Sequence, residues 1–333
     1  MGMISVIKAI LARSLFAIHG MLTVWRVTDV NSNPLFYLLI IPICLLPLEM
    51  ILTLKVTKNG EWKWFCPSVF LYLASVVPGL WLLNFDLYGK RIDYRDSMNL
   101  EDCSSETVYN SSSLSSDAIS GLQINIPVAL TDDSWSLALE QFLLALLLLG
   151  RWLLPKGSLT RDQLSQLLLV YIGMAADILE FSLETLKEQA VICNLFLIIL
   201  ILGLWSWSLL QFTLVLTSVS APRARAAKIS GGKSCKGCFG CCENEIWALW
   251  ITIVMQDGPF LAMRLYLLID YNIINQMMLF FTLKNFLVIM LQLYRMAIVC
   301  CADDNKVGTD VEEIVGKDNN EEDSQQAVEV GQP

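Results

Sequence analysis

The residues best suited to chemistry in this sequence are charged side chains that interrupt long apolar segments. A charge at the centre of a membrane helix costs about 2.5–3.5 kcal/mol on insertion scales, so it usually faces a bundle interior or water. The candidate site consists of Asp177, Glu180, Asp257, Arg264 and Lys284. These residues admit two interpretations: a polar pathway for an ion, a proton or a small solute, or interhelical salt bridges that fix packing. We favour the salt bridges, because buried ion pairs often serve specificity.

Helical spacing relates these charges to one another. Asp177 and Glu180 are three residues apart and therefore lie on one face of a helix. Asp257 and Arg264 also share a face, but two helical turns separate them by about 10 Å of rise. Each of them is therefore expected to pair with another helix. We expect an acid of the first pair to contact Arg264 or Lys284.

The string Gln256-Asp257-Gly258-Pro259 lies near the middle of the apolar segment 246–269. Proline removes a backbone donor and clashes with the preceding turn, and glycine lets the chain bend there. We interpret the string as an ordinary proline kink, because membrane helices tolerate proline. The alternative is a broken helix that carries an acid, which many transporters use to expose carbonyl groups to ions.

Six cysteines are candidates for lipidation. Four form a Cys-x-x-Cys-x-x-Cys-Cys string in a short loop with glycine and lysine, and they are Cys235, Cys238, Cys241 and Cys242. Their position beside an apolar segment favours S-palmitoylation, with unmodified thiols and a zinc or iron–sulfur site as alternatives. The tight spacing leaves little room for tetrahedral wrapping, so a metal is the least favoured reading. Cys300 and Cys301, at the end of the last apolar segment, favour lipidation in the same way.

The polar segment 86–134 has the features of an exported loop. It contains the sequon Asn110-Ser111-Ser112, which predicts N-glycosylation at Asn110. Cys103 in this loop and Cys193 near the sixth apolar segment are expected on the same side of the membrane. They are therefore a candidate disulfide.

Signatures of soluble enzymes do not occur in the sequence. It has no phosphate-binding loop, no HExxH string and no Gly-x-Ser-x-Gly string, and His19 is its single histidine. We therefore predict a protein that is not an enzyme, with no catalytic residue, no cofactor and no bound metal.

Apolar segments of membrane-spanning length must position all of these residues. The chain of 333 residues is 55% hydrophobic and 17% charged, with a mean hydropathy of +0.55, whereas soluble proteins are about 25% charged. A bilayer core of about 30 Å needs about 20 apolar residues of helix. The qualifying segments are 4–25, 35–54, 65–85, 136–154, 164–181, 191–216, 246–269 and 276–299. Charges near segment ends, such as Glu140 and Arg295, are expected to snorkel toward the interface.

Lysine and arginine placement predicts the orientation of this all-α, polytopic membrane protein. With 86–134 outside, the inside loops hold eleven of these residues and the outside segments hold five. This bias predicts eight crossings within residues 1–301 and cytosolic termini at both ends. The segment 164–181 could instead lie in the interface as an amphipathic helix. We favour spanning, because otherwise the later loops invert and the charge bias worsens.

The tail 302–333 carries most of the net charge. Its ten acids and two lysines account for −8 of the chain's −9. A strongly acidic tail without aromatic residues is expected to be disordered and cytosolic, where it can contact protein partners. The sequence has no basic footprint for a nucleic acid. The expected partners are therefore the lipid bilayer and cytosolic proteins.

Several strings together resemble the transmembrane protein 26 family. They are VWRVT (24–28), GRWLLP (150–155), TRDQLSQ (160–166), AADILEF (175–181), QDGPF (256–260), KNFLV (284–288) and LQLYR (291–295). The resemblance covers roughly residues 1–299 and excludes the 86–134 loop, the cysteine-rich loop and the acidic tail. It implies a multi-pass membrane protein and no reaction, substrate or catalytic residue.

The leading hypothesis is a non-enzymatic membrane component or interaction protein. The alternative is an ion- or proton-coupled channel or transporter that uses the charged residues of the fifth, seventh and eighth segments. A third hypothesis is a receptor whose glycosylated 86–134 loop binds a ligand. A multi-pass protein with an exported, glycosylated loop is expected in the plasma membrane or a secretory-pathway membrane.

Overall fold

The computed structural model describes residues 3–31, 33–56, 65–98, 131–154, 161–214 and 246–298. Within these ranges the chain is helical apart from short connections and one isolated antiparallel bridge between Phe65 and Leu214. Eight of its helices are long and apolar enough to cross a membrane. This confirms the prediction of an all-helical chain with eight membrane-length segments.

The membrane-length helices are numbered in chain order. The first four are α1 (Met3–Val30), α2 (Ile41–Val56), α3 (Pro67–Met98) and α4 (Asp132–Leu153). The other four are α5 (Arg161–Thr185), α6 (Leu195–Leu209), α7 (Ile246–Asp270) and α8 (Gln276–Ile298). The shorter elements are a 3₁₀ helix before α2 (Pro34–Ile40), a single turn before α6 (Gln189–Ile192) and a 3₁₀ helix after α6 (Leu210–Thr213).

Side-chain caps mark where three of these elements begin. Asn33 accepts a hydrogen bond from Leu35 N at the first 3₁₀ helix, and Asn194 accepts one from Phe196 N at α6. Thr131 accepts one from Ser134 N at α4, whose first turn carries two aspartates. Each cap satisfies a backbone N–H that the helix itself leaves unpaired.

The third helix extends beyond the predicted segment 65–85 into the polar segment 86–134. α3 continues as a helix of 32 residues to Met98, about 48 Å at the usual rise, which exceeds a hydrocarbon core of about 30 Å. Ion pairs stabilise the extension: Lys90 contacts Asp86 at 2.8 Å, one turn earlier, and Asp132 of α4 at 2.6 Å. Arg26 of α1 also reaches Asp132, at 2.6 Å. We call this group, with the pair Arg91–Asp133, the crown.

The core lies between α1, α3 and α4. Phe16 and Tyr72 stack there with ring centroids 4.5 Å apart, and both are fully buried. Gly150 of α4 lets this stack form, because a Cβ at that position would collide with the Phe16 ring. Small residues at such crossings allow membrane helices to approach closely.

The fifth helix is packed as part of the same bundle. Tyr171, Ile178 and Phe181 of α5 are buried in the common core, and α5 is one of the eight membrane-length helices. By contrast, α8 exposes most of its apolar side chains, including Leu283, Leu287 and Leu291. A helix with such an apolar outer surface suits contact with lipid.

Candidate functional site

Four of the five candidate residues meet where α5, α7 and α8 come together. The Lys284 ammonium of α8 lies 2.5 Å from Asp177 Oδ1 and 3.2 Å from Glu180 Oε2, both on α5. Arg264 of α7 donates from Nη2 to Glu180 Oε1 at 2.9 Å. Glu180 therefore joins the two cations, and we call these four residues the charge cluster.

Aromatic rings complete the surroundings of the two cations. The Arg264 guanidinium lies 5.7 Å from the Phe181 ring centroid and 5.1 Å from that of Phe281. The Lys284 ammonium lies 5.4 Å from the same Phe281 ring. Such contacts add cation–π attraction in a desolvated setting. Arg264 is only 1% exposed, whereas the Lys284 side chain is 29% exposed, so one side of the cluster is open in the isolated chain.

The middle of α7 differs from both interpretations of its Gly-Pro string. A single π-helical turn, Ile253–Asp257, leaves the helix continuous, and Gly258 N–H donates to the Ile253 carbonyl. In a regular helix the Pro259 ring would clash with the carbonyl four residues earlier, and the wider turn relieves that clash. Gly258 is needed because a Cβ there would lie 2.7 Å from the Ile253 oxygen. The string is therefore neither an unwound break nor a simple kink.

The π turn directs two polar side chains into the bundle. Asp257 is buried and accepts a hydrogen bond from Gln292 Nε2 of α8 at 2.6 Å. Gln256 is also buried; its Oε1 accepts from Gln211 Nε2 at 2.5 Å, and its Nε2 donates to the Met174 carbonyl of α5 at 3.4 Å. These contacts form a second polar group, which joins α7 to α5, to α8 and to the 3₁₀ helix after α6.

The fifth candidate, Asp257, lies beside the charge cluster without entering an ion pair among the described residues. It interacts electrostatically with Asp177 and Lys284, but its hydrogen bond goes to Gln292. Asp257 and Arg264 do not pair with each other, as their spacing along α7 predicted. The glutamines were missed as site residues, although amides in apolar segments are a recognisable signal, because sequence does not show which of them face one another.

Charges elsewhere in the bundle also differ from the sequence expectation. Glu140 does not snorkel: it is 8% exposed in α4. Arg295 is exposed, as expected. Arg151, near the end of the predicted segment 136–154, is buried in the last turn of α4 with its guanidinium 5.6 Å from the Tyr171 ring centroid. Residues on neighbouring helices cover Glu140 and Arg151, which spacing within one segment does not reveal.

A second ion pair joins α1 and α2 and was not predicted. Arg13 binds Glu49 through two hydrogen bonds, Nε to Oε2 at 2.9 Å and Nη2 to Oε1 at 3.0 Å. The Thr53 hydroxyl donates to the same Glu49 Oε1 at 2.6 Å. Both charged side chains are buried, and two parallel hydrogen bonds are the strongest form of this pairing.

The remaining candidates fall mainly beyond the described ranges. Cys193 is disulfide-bonded, but Cys103, its candidate partner, lies outside the described residues, so the pairing stays a prediction. Also outside them are Asn110, Cys235, Cys238, Cys241, Cys242, Cys300, Cys301 and the tail 302–333. Within the described residues, no group of three or more His, Cys, Asp or Glu side chains could hold a metal ion.

Comparison with known proteins agrees with this architecture. No solved structure matches the chain. A family model described as Transmembrane protein 26 matches residues 3–295, which include α1 to α7 and all but the last turn of α8. Because the match spans far more than half of the sequence, the chain belongs to the transmembrane protein 26 family.

Proposed function

We propose that this protein is a non-enzymatic membrane component or interaction protein, in which the charge cluster holds α8 against α5 and α7. The observation that carries the proposal is the charge balance of the cluster. Two acids and two bases satisfy one another across three helices. In a bilayer, apolar packing gives little preference for helix contact over lipid, so polar contacts decide which helices associate.

The path of the contacts supports a role in holding α8. Lys284 and Gln292 are separated by about 12 Å along α8, and each bonds to an acid of another helix. The outward face of α8 is apolar and exposed. Two polar anchors on one face therefore fix both the position and the rotation of the helix.

Thiol labelling tests whether the charge cluster is sealed. Single cysteines would replace Thr282, half-buried two residues before Lys284 on α8, and then Asp177, Glu180, Asp257 and Arg264, in a background without other accessible thiols. A membrane-impermeant reagent is applied from each side. We expect T282C and the other bundle positions to resist labelling. Labelling of T282C would favour a water path and contradict the proposal.

Two controls frame that result. Asp96 lies near the end of the α3 extension and is exposed, so D96C is expected to react from one side. Leu283 is exposed on the apolar face of α8, so L283C is expected to resist because lipid excludes the reagent. The labelling of T282C is thus compared with that of the next residue in sequence, which is expected to face lipid.

A second candidate function is an ion- or proton-coupled channel or transporter. The π turn favours it, because π turns inside helices often occur at functional sites and this one places Asp257 inside the bundle. Two buried amide oxygens nearby, Gln211 Oε1 and Gln292 Oε1, have no hydrogen-bond partner among the described residues. This function predicts that D257N abolishes flux in vesicles and that T282C becomes labelled.

The placement of the chain in the cell is part of the same proposal. Both termini are cytosolic, Asn110 is glycosylated, the cysteine strings are palmitoylated, and the protein resides in the plasma membrane or a secretory-pathway membrane. Its partners are the bilayer and cytosolic proteins that bind the acidic tail. Deleting 302–333 is expected to remove those proteins while the bundle still folds. Glycosidase treatment of the wild type and of N110Q tests the orientation, because only the wild type should shift in mass.

A further inference from the structure

Glu140 lies within the membrane span of α4 and is buried. Unlike Glu49 and Glu180, it forms no ion pair with a described residue. It lies about two turns from the start of α4 and packs toward α5 and α6. Its polar neighbours are the Ser182 hydroxyl of α5 and the Trp205 indole N–H of α6. Both of these groups are neutral, and no cation of the described helices forms an ion pair with Glu140.

The titratable groups on the other elements around α4 are already engaged. The His19 Nε2 of α1 lies 3.2 Å from the Leu139 carbonyl, which can only accept, so this nitrogen must be the donor. The His19 Nδ1 is hydrogen-bonded to the Tyr72 hydroxyl of α3, 2.8 Å away. Both ring nitrogens of His19 are therefore engaged, by the Leu139 carbonyl and by the Tyr72 hydroxyl, and neither forms a hydrogen bond with Glu140.

From this arrangement we propose that Glu140 is a membrane-buried proton-binding site, a carboxyl group that carries its proton in the folded protein at neutral pH. An isolated carboxylate in a low-dielectric interior is strongly disfavoured, and such a group neutralises itself by binding a proton. This inference is independent of the role of the charge cluster. It assigns a proton, rather than a counter-ion, as the ligand of Glu140.

The neighbouring groups suit a carboxylic acid better than a metal cation. Glu140 Oε1 and Trp205 Nε1 are both buried and have no hydrogen-bond partner of normal geometry among the described residues. An acid can accept from the indole N–H with its carbonyl oxygen and donate its proton to the Ser182 hydroxyl. The indole nitrogen is a donor only, so it cannot ligate a cation.

Glu180 provides the matched control within the same bundle. It is also a glutamate in a membrane-length helix, but it contacts both Arg264 and Lys284. Two cations stabilise its ionised form. The two glutamates are therefore expected to differ in protonation state within one molecule.

Infrared difference spectroscopy of the full chain in lipid vesicles tests the proposal at neutral pH. The carbonyl band of a protonated carboxyl group is expected to be present in the wild type and absent from E140Q. In E180Q, carboxylate bands of the wild type should be absent instead. Carboxylate bands in the E140Q difference would overturn the proposal. Failure of E140Q to fold would overturn it too, because glutamine is a neutral isostere of the protonated acid.

Chemical modification gives a second readout on the same variants. A hydrophobic carbodiimide reacts with protonated carboxyl groups within a bilayer, and mass spectrometry locates the adduct. We expect an adduct at Glu140 in the wild type, none in E140Q, and none at Glu180. An adduct at Glu180 with none at Glu140 would contradict the assignment.

Discussion

The Arg13–Glu49 pair and the charge cluster both place ion pairs inside the bundle, but they are built differently. The first is a closed pair between consecutive helices, with one acid, one base and two parallel hydrogen bonds. The second distributes two acids and two bases over α5, α7 and α8, and its bases lie 84 to 107 residues from the acids that they contact. Neither residue of the closed pair has a second ionic partner among the described residues, whereas Lys284 of the charge cluster contacts two acids.

This difference predicts how each region responds to the loss of one group. In the closed pair, removing either residue leaves a buried charge alone. In the charge cluster, Lys284 retains an acid when either Asp177 or Glu180 is neutralised. The charge cluster should therefore lose less stability than the closed pair when one of its acids is neutralised. The substitutions below are ordered by the expected loss in the free energy of unfolding.

The largest effect is expected for E49Q. Arg13 would keep one amide oxygen at position 49 and a long contact of 3.4 Å to the Ala9 carbonyl, but this buried cation would lose its counter-charge. We expect the free energy of unfolding to fall by about 3 kcal/mol, measured by denaturant titration in micelles. The double variant R13M/E49L should regain most of this loss. If E49Q alone is as stable as the wild type, Arg13 and Glu49 are not a closed pair.

A smaller effect is expected for E180Q. Arg264 would lose its direct acid partner, but Asp177 would still balance Lys284. We expect a loss of about 2 kcal/mol in the same titration. Glu184 forms no ion pair with a described residue, so E184Q on the same helix is the control and should change stability by less than about 0.5 kcal/mol. Equal losses for the two variants would remove the special role of Glu180.

D177N is expected to lower the free energy of unfolding by less than E180Q does. Lys284 would lose the negative charge of Asp177 and keep its ion pair with Glu180 at 3.2 Å. The expected loss is about 1 kcal/mol. A loss as large as that of E49Q would show that the charge cluster has no redundancy, and the comparison between the two regions would fail.

The smallest effect is expected in the crown. The Lys90 side chain is 43% exposed although it contacts two aspartates, and exposed ion pairs contribute about 0–1 kcal/mol. K90M should therefore lower stability slightly, and the difference should vanish at 1 M salt, where screening acts within about 3 Å. A difference that persists in high salt would indicate that the crown is shielded from solvent.

The sequence predicts the parts of this structure that depend on local composition. Long apolar runs give the eight helices, and the three-residue spacing of Asp177 and Glu180 gives a common acidic face. The contacts of Gln292 and the pairing of Arg13 with Glu49 depend on which helices are neighbours, and one sequence does not encode that directly. The π turn at Ile253–Asp257 is intermediate: Gly258 and Pro259 mark the place, but only the structure gives its form.

A double-mutant cycle on Asp177 and Lys284 tests whether the charge cluster holds α8 in place. The unfolding free energies of the wild type, D177N, K284M and the double variant would be measured in micelles. The shared contact between α5 and α8 predicts a coupling energy of about 1 kcal/mol, with the double variant less damaged than the sum of the single variants. Strictly additive losses would show that this pair does not join the two helices. They would contradict the proposal that the charge cluster holds α8 in place.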